Sequence, residues 1–545
     1  MKSPVPFTLS ALFGFALSAC LFLLGCARRE TPVAAGIRTQ TLHIGGGVEP
    51  GDLDLHTTIG TWEGVLASTL FEGLVNTFDD GKTILPGAAE RWTVSPDGLT
   101  YTFYLRPDLK WSNGDSVTAY DFRESFVRLL DPTLACEAAS DAYPVVGAKD
   151  YIEGRSKDPS TVGFQALDGR TFVIILRHPA PYWLTQISRR PFFPVHLPSV
   201  DATGGRRERG RSWTRPGKLV GNGPFILTEW RPNAVIRVER NPHYWDTAHT
   251  RLHAICFYPI EESGTEEHAY RAGQLHVTRR VPLAKIDGYA RDQARELRVV
   301  PTLRTASVSF NVTRPPFTDA RVRRAFSLAI DRESLVRATV RQNGTPAKSL
   351  VRPGTGGYTP PETIRFDPGE ARRLLADAGF PGGSNLPQIE YLVAGTSGES
   401  VAIAEALQHQ WAQHLGARVS IRRVDTKTWL GLGRMGAFQV IEDSWGSSFP
   451  DAIAILAIYG TGNPNNWYRW SNQEFDRWLA VAERSNDGAT RCAAFDGMES
   501  ILARECPSAP LYFGNRVFLV HPAVRGVQWD APDSTDWRRI WLEKN

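Results

Sequence analysis

In Glu442-Asp443, followed by Trp445, Ser448 and Asp451, the chain sets carboxylates, a hydroxyl and an indole within one short stretch. Adjacent carboxylates can hold a cationic or amino group through charge-assisted hydrogen bonds, or can sit solvated at a strand end, and both readings stand at this stage. Patterns for catalysis are missing. No G-x-S-x-G, H-E-x-x-H, Walker A or Rossmann glycine pattern occurs, and His409 and His414, five apart on an expected helix, do not share a face. Nothing therefore argues for an enzyme. Cys136, Cys256, Cys492 and Cys506 form no C-x-x-C pair and have no interleaved His, so no metal site and no cofactor is expected. Cys492 and Cys506 bracket one expected helix that would hold them too far apart for a disulfide, which leaves buried free thiols as the expectation. Arg206-Arg207-Glu208-Arg209-Gly210-Arg211 reads as a solvated glycine-flanked loop. The net charge of +4, or about +3 without Lys2 (4 minus 1), is far from the balance of a nucleic-acid binder.

The first residues supply an address. Lys2 precedes an almost unbroken apolar stretch from Phe7 to Gly25, and Ala27-Arg28-Arg29-Glu30 follows abruptly, which is the pattern of a secretory signal over residues 1–25. Leu23-Leu24-Gly25-Cys26 resembles a bacterial lipobox, whose thiol is acylated after cleavage. Leu17-Ser18-Ala19-Cys20 also fits, but cutting there would strand Leu21 to Leu24 in water, so Cys26 is the expected lipidation site with Cys20 as the alternative. Residues 26–37, including Pro32, Ala34, Ala35 and Gly36, then read as a tether that floats the working domain near a membrane.

A chain of 545 residues, 42% hydrophobic and 22% charged, is long enough to divide its core into two or three units. From Thr41 to Tyr182 strands and turns dominate. Tyr101, Phe103 and Leu105 alternate onto one face, and Ser95-Pro96-Asp97-Gly98 and Asp168-Gly169 supply hairpin turns. Phe122, Phe126 and Leu129 recur at helical spacing over Ala119 to Leu130. Beyond Pro315-Pro316 helical signals strengthen: Val322, Ala325, Phe326, Ala329 and Ile330 form one stripe, Asp331 can cap the next helix, and Asp367-Pro368-Gly369-Glu370 is a complete helix start closed by Gly379 and Pro381. Apolar Ile389 to Val393, the helix Val401 to Leu415 and Ala417 to Ile421 give β-α-β order, an α/β lobe.

Several elements now combine. Glu49-Pro50-Gly51-Asp52-Leu53-Asp54 matches E-P-x-x-L-D, and Asp97 to Arg106 matches D-G-x-x-Y-T-F-x-L-R, continued by Trp111-Ser112-Asn113-Gly114-Asp115. Val220-Gly221-Asn222-Gly223-Pro224-Phe225 and Asn241-Pro242-His243-Tyr244-Trp245 match G-x-G-P-Y/F and N-P-x-Y-W; Phe310-Asn311, Arg321 to Ala325 and Ala329-Ile330-Asp331-Arg332 follow in order. With these, nearly end to end, the chain resembles the peptide- and nickel-binding class, family 5, of solute-binding proteins of bacterial ABC importers. Read physically, Gly221 and Gly223 are expected to take positive φ at a strand turn, and Tyr244 and Trp245 to specify the fold rather than the ligand.

The resemblance implies an α/β, two-lobed periplasmic binding protein fold of class II type with an inserted β-rich domain. It implies a first lobe of residues 38–61, 186–290 and 515–545, an insert of 62–185 and a second lobe of 291–514, with a hinge near Ala284 to Val299 and Leu511 to Phe518. It also implies a monomer on the periplasmic or extracytoplasmic face, lipid-anchored, that captures a peptide by hinge closure and delivers it to an ABC permease and ATPase complex. Nickel chelates, haem, sugars and murein-derived peptides are the alternative cargoes. The family's ligand motif W-x-x-D-Y-x-D/E-P stands here as Trp445-Gly446-Ser447-Ser448-Phe449-Pro450-Asp451-Ala452, with Ser448 where the carboxylate that grips the peptide's α-amino group belongs. Glu442 replaces an arginine near the peptide's C-terminal end, and Glu49 aligns with a residue near the ligand. A cationic, amidated or modified guest, or a grip by Glu442, Asp443 or Asp451 from another angle, is the expectation that follows.

Overall fold

The computed structural model describes residues 30–545 apart from 59, 78–82, 211, 396–397, 448, 528–534 and 545. Both cysteines considered for lipidation, Cys20 and Cys26, and Ser448 lie outside the described residues.

Three sheets organise the chain. The first orders Thr41–Gly45, Ala254–Tyr258, Val235–Arg240 and Phe225–Arg231, with its first pair parallel and the others antiparallel. Leu42, Ile44, Ile236, Val238, Ile255 and Phe257 give it one buried side, covered by the helix Thr61–Leu70. The second sheet is antiparallel throughout, in the order Ala89–Val94, Thr100–Leu105, Thr171–Ile175, Phe164–Ala166. Tyr101, Phe103 and Leu105 are buried alternately, as their spacing predicts, and the turn before them places Gly98 at φ 71°. Phe122 and Phe126 of the helix Ala119–Leu129 lock onto Phe164 and Phe172 by edge and tilted ring contacts.

The third sheet is mixed: Gly344–Pro346, Ser508–Leu519, Leu297–Phe310, Val440–Gly446, Ile389–Ala394, Val419–Val424. Its last two strands are parallel and joined by the helix Gly398–Leu415, the expected β-α-β unit. Asp331 and Asp367 cap their helices by accepting from the Ser334 and Glu370 amides.

Two strands in this sheet are unusually long. Leu297–Phe310 and Ser508–Leu519 pair antiparallel, yet their ends serve different cores. Val300 and Phe518 pack with the first sheet, whereas Val308, Phe310, Ala509 and Leu511 pack under the helices of the third. The register breaks between Pro301 and Thr305, where Pro301 has no N–H to donate. The chain thus crosses between two lobes at residues 301–304 and 514–516. The first crossing lies downstream of the expected Ala284 to Val299, because Leu297 and Val300 still pack in the first lobe.

Other boundaries move for the same reason. Trp62, Leu66, Ala67, Leu70 and Phe71 pack with the first sheet, and the core under the second sheet draws on residues from Leu74 to Phe192. Residues 31–37, read as tether, instead form most of the helix Pro32–Thr39, with Thr31 accepting from the Ala34 amide, Val33 buried and the Val33 N–H donating to Gly273 O. An N-cap, a proline in the first turn and a partner surface suffice to order it. Gly221 and Gly223 lie outside the positive-φ glycines of the chain; a Cβ there would stand 2.0 Å from Leu70 O and 2.5 Å from Leu70 C respectively, so close backbone approach demands them. All four cysteines of the described chain are free thiols, with Cys256 and Cys506 buried and Cys136 and Cys492 half-buried.

The insert is bolted to the first lobe by a buried ion pair. Arg128 Nη1 and Nη2 donate to Asp54 Oδ1 (2.9 Å) and Oδ2 (2.7 Å), and Nε donates to Arg206 O. Burial, with Arg128 beside it, pushes the His56 pKa down to about 3, so a neutral ring accepts from Nη1. Removing one charge strands the other in a dry site. Arg128→Ala should lower the free energy of unfolding by about 3–5 kcal/mol, and Asp54→Leu with Arg128→Met by much less. Urea denaturation of the three proteins measures this; equal losses in the single and double variants would refute it.

Candidate binding site between the lobes

A cavity of about 1990 Å³ opens where the two lobes and the insert meet. Pro301 to Arg304 and Asn515 to Val517, the crossing strands themselves, form part of its lining. Arg352 fastens these strands together: its Nη1 donates to Gly514 O (2.8 Å) and Thr302 O (3.3 Å), and its Nη2 to Asn515 Oδ1 (3.0 Å). The Ser447 N–H donates to Leu303 O, so the end of the strand Val440–Gly446 is tied to the same place. Gly398, Glu399, Ser400 and Phe449 line the second-lobe wall, and Tyr182 of the insert stacks on Phe449 at 4.9 Å.

On the first-lobe side the wall is built around Glu72. The Glu72 N–H donates to Asn222 Oδ1 and Asn222 Nδ2 donates back to Glu72 O, while its carboxylate accepts from Tyr244 Oη (2.6 Å), Trp245 Nε1 (2.7 Å) and Asn76 Nδ2 (2.9 Å). The glycine-rich and aromatic elements singled out in the sequence thus converge on one buried carboxylate. Burial raises its pKa despite these donors.

The carboxylates expected to meet a guest are engaged elsewhere. Glu49 accepts from Trp230 Nε1 (2.6 Å) and from the Asn233 N–H (3.0 Å), pinning the hairpin between Phe225–Arg231 and Val235–Arg240. Asp451 is buried and forked to Arg491 at 2.7 and 2.9 Å. Asp443 lies under the sheet, 2% exposed, where Ser309 Oγ donates to it at 3.0 Å and Tyr468 Oη donates to it in turn. Trp445 joins the same network by donating to Tyr468 Oη (2.7 Å). Glu442 stands behind the wall: Oε1 accepts from Ser400 Oγ (2.6 Å), the carboxylate is largely buried, and burial raises its pKa. None of Glu49, Glu442, Asp443, Trp445 and Asp451 lines the cavity among the described residues. Strand alternation explains the separation, because Glu442 and Asp443 point to opposite faces and Asp443 shares the buried face with Trp445.

Arginines escaped the sequence reading. Arg279 and Arg280 come from the first lobe, Arg304 and Arg516 from the crossing strands and Arg352 from the second lobe. Arg279-Arg280 and Arg189-Arg190 are adjacent in the sequence; the others meet through the fold. Arg206 and Arg207 of the basic run, by contrast, pair with Asp201, Glu124 and Asp131 on neighbouring elements.

Two lobes with separate cores, joined by paired strands across a large cavity, define the class of two-lobed binding proteins. Comparison with known proteins is consistent with this class. The model of the bacterial extracellular solute-binding proteins, family 5 (middle region), matches residues 83–467, and the chain belongs to this family of solute-binding proteins of ABC importers. It is 32% identical to the periplasmic murein peptide-binding protein MppA of Escherichia coli, covering 90% of this chain and 91% of that one. The solved structure of that protein aligns with a TM-score of 0.80 over 93% of this chain and 99% of that one. The periplasmic oligopeptide-binding protein OppA of Salmonella typhimurium is 32% identical (95% and 96% covered), and the probable deoxycholate-binding periplasmic protein YgiS of Escherichia coli 31% (92% and 93%). The family is one of binding proteins. No helix among the described residues is long and apolar enough to cross a membrane.

Burial pushes the Asp443 pKa up to about 6 from an ordinary 3.8, against the pull of its hydroxyl donors. The folded protein then binds a proton that the unfolded chain has released. The stability this supplies is complete below the unfolded value and is lost as pH rises through about 6. Asp443→Asn should therefore gain on the parent between pH 4 and 7 by up to about 3 kcal/mol. Denaturation midpoints of both proteins across that range test this, and a constant difference would contradict it.

Proposed function

We propose that this protein captures peptides outside the cytoplasm and delivers them to an ABC permease and ATPase complex. The observation that carries this is the cavity of about 1990 Å³ whose lining includes the two crossing strands, since bending there changes the gap between lobes without disturbing either core. The peptide-binding relatives support the peptide as cargo. A guest that touches both walls favours the closed arrangement because it gains contacts there that the open one lacks. The protein acts as a monomer, and acylation of Cys26 holds it to a membrane.

Mass spectrometry of small molecules released by denaturing protein purified from its native host should show a set of short peptides. Adding such peptides back to the stripped protein should lower the radius of gyration in solution scattering. Release of a single non-peptide compound, or no compaction with any released peptide, would overturn the reading. Cys26→Ser should move the protein from the membrane to the soluble fraction; unchanged membrane recovery would remove the anchor.

A further inference from the structure

The cavity carries an excess of positive charge. Eight arginines face five carboxylates among its described lining residues. Three of those carboxylates are already committed: Glu72 to its buried donors, Glu262 to the amides of Gly264 and Thr265, and Asp536 to Arg538. Glu399 accepts from Tyr512 Oη and Glu261 is exposed, while Arg189 pairs with Asp141 and Arg538 with Asp246 as well as Asp536, which leaves six arginines to set against the remaining acids. Among the arginines, Arg352 is held by carbonyl and amide oxygens and Arg304 donates to Ser444 Oγ, so neither meets a carboxylate. Arg280 is exposed in the first-lobe wall and forms no ion pair among the described residues. Glu442 lies within electrostatic reach of Arg304, but it stands behind the wall and outside the cavity lining.

We infer that the preferred guest is a peptide with acidic side chains, read by Arg280 from one lobe and Arg304 from the crossing strand. This rests on the peptide-receptor reading above and names the substrate class of that site. It also reverses the sequence expectation of a cationic guest, since the acids behind that expectation lie outside the cavity. Like charges on facing walls oppose closure, and desolvation strengthens the repulsion as water leaves. A zwitterionic peptide brings as much positive charge as negative and leaves the excess in place. Two acidic side chains offset most of it, and lysines in their positions add to the repulsion.

The test uses alanine peptides three to six residues long that carry two glutamates, two glutamines or two lysines, titrated calorimetrically into the full mature protein. Glutamate peptides should bind at least about tenfold tighter than their glutamine counterparts, with lysine peptides weakest and the spread shrinking as salt rises. Arg304→Gln and Arg280→Gln, each first shown to keep the parent's thermal midpoint, should each reduce the glutamate-to-glutamine preference several-fold. Arg304→Lys should retain part of it. Lysine peptides binding as well as glutamate peptides, or variants that leave the preference intact, would overturn the inference while the peptide reading stands. Binding of none of the three series would overturn the peptide reading, and the inference with it.

Discussion

One ribbon of two antiparallel strands belongs to both lobes, and this constraint orders the rest of the molecule. A strand pair passing between two dry cores must keep its backbone groups satisfied where neither core covers them. Here the ladder is interrupted between Pro301 and Thr305, and other donors fill the gap: Thr302 Oγ1 donates to Gly514 O, Arg352 to Thr302 O and Gly514 O, and Ser447 N–H to Leu303 O. The bonds that replace the ladder are made largely by side chains. They tolerate rotation better than a regular ladder would, because a guanidinium can follow its acceptors. The place of weakest regular structure is therefore also part of the cavity lining, so guest contact and lobe movement share the same residues.

Around this ribbon, buried charge is handled by pairing or by protonation. Asp54 with Arg128 and Asp451 with Arg491 are forked ion pairs that hold irregular segments against helices. Glu72, Glu499 and Asp443 form no ion pair among the described residues and are instead surrounded by hydroxyl, indole or amide donors, with pKa values raised by burial even where, as for Glu72, the charge of Arg538 pulls the other way. The two solutions differ in consequence. A forked pair fixes geometry at any ordinary pH, whereas a lone carboxylate makes its neighbourhood responsive to pH.

Local chemistry was legible in the sequence wherever it was periodic or capped. The hairpin turn at Pro96-Asp97-Gly98, the stripe from Val322 to Ile330, the caps at Asp331 and Asp367 and the parallel pair around the helix Gly398–Leu415 each follow from spacing that only one element satisfies. Boundaries between lobes were less legible, because a boundary is a property of which core a side chain reaches. The helix Thr61–Leu70 illustrates this: nothing in its own residues says that Leu66 and Leu70 share a core with Phe225 and Phe257 rather than with Phe103. The roles of Gly221 and Gly223 were hidden similarly, since their need for a missing Cβ comes from Leu70, distant in the chain.

The site was legible as a region and misleading as a set of residues. Sequence proximity suggested that Glu442, Asp443 and Asp451 act together, but a strand sends neighbours to opposite faces and a turn sends Asp451 towards Arg491. What lines the cavity is instead assembled from Arg280, Arg304 and Arg352, one from each side of the ribbon and one from the ribbon itself. Their charge acts on the lobes before any guest arrives, favouring separation, and bridging water and salt weaken that push without abolishing it. Selectivity and closure are then a single electrostatic problem: a guest is favoured to the extent that its own charge lets two positively charged walls come together in a shrinking volume of water.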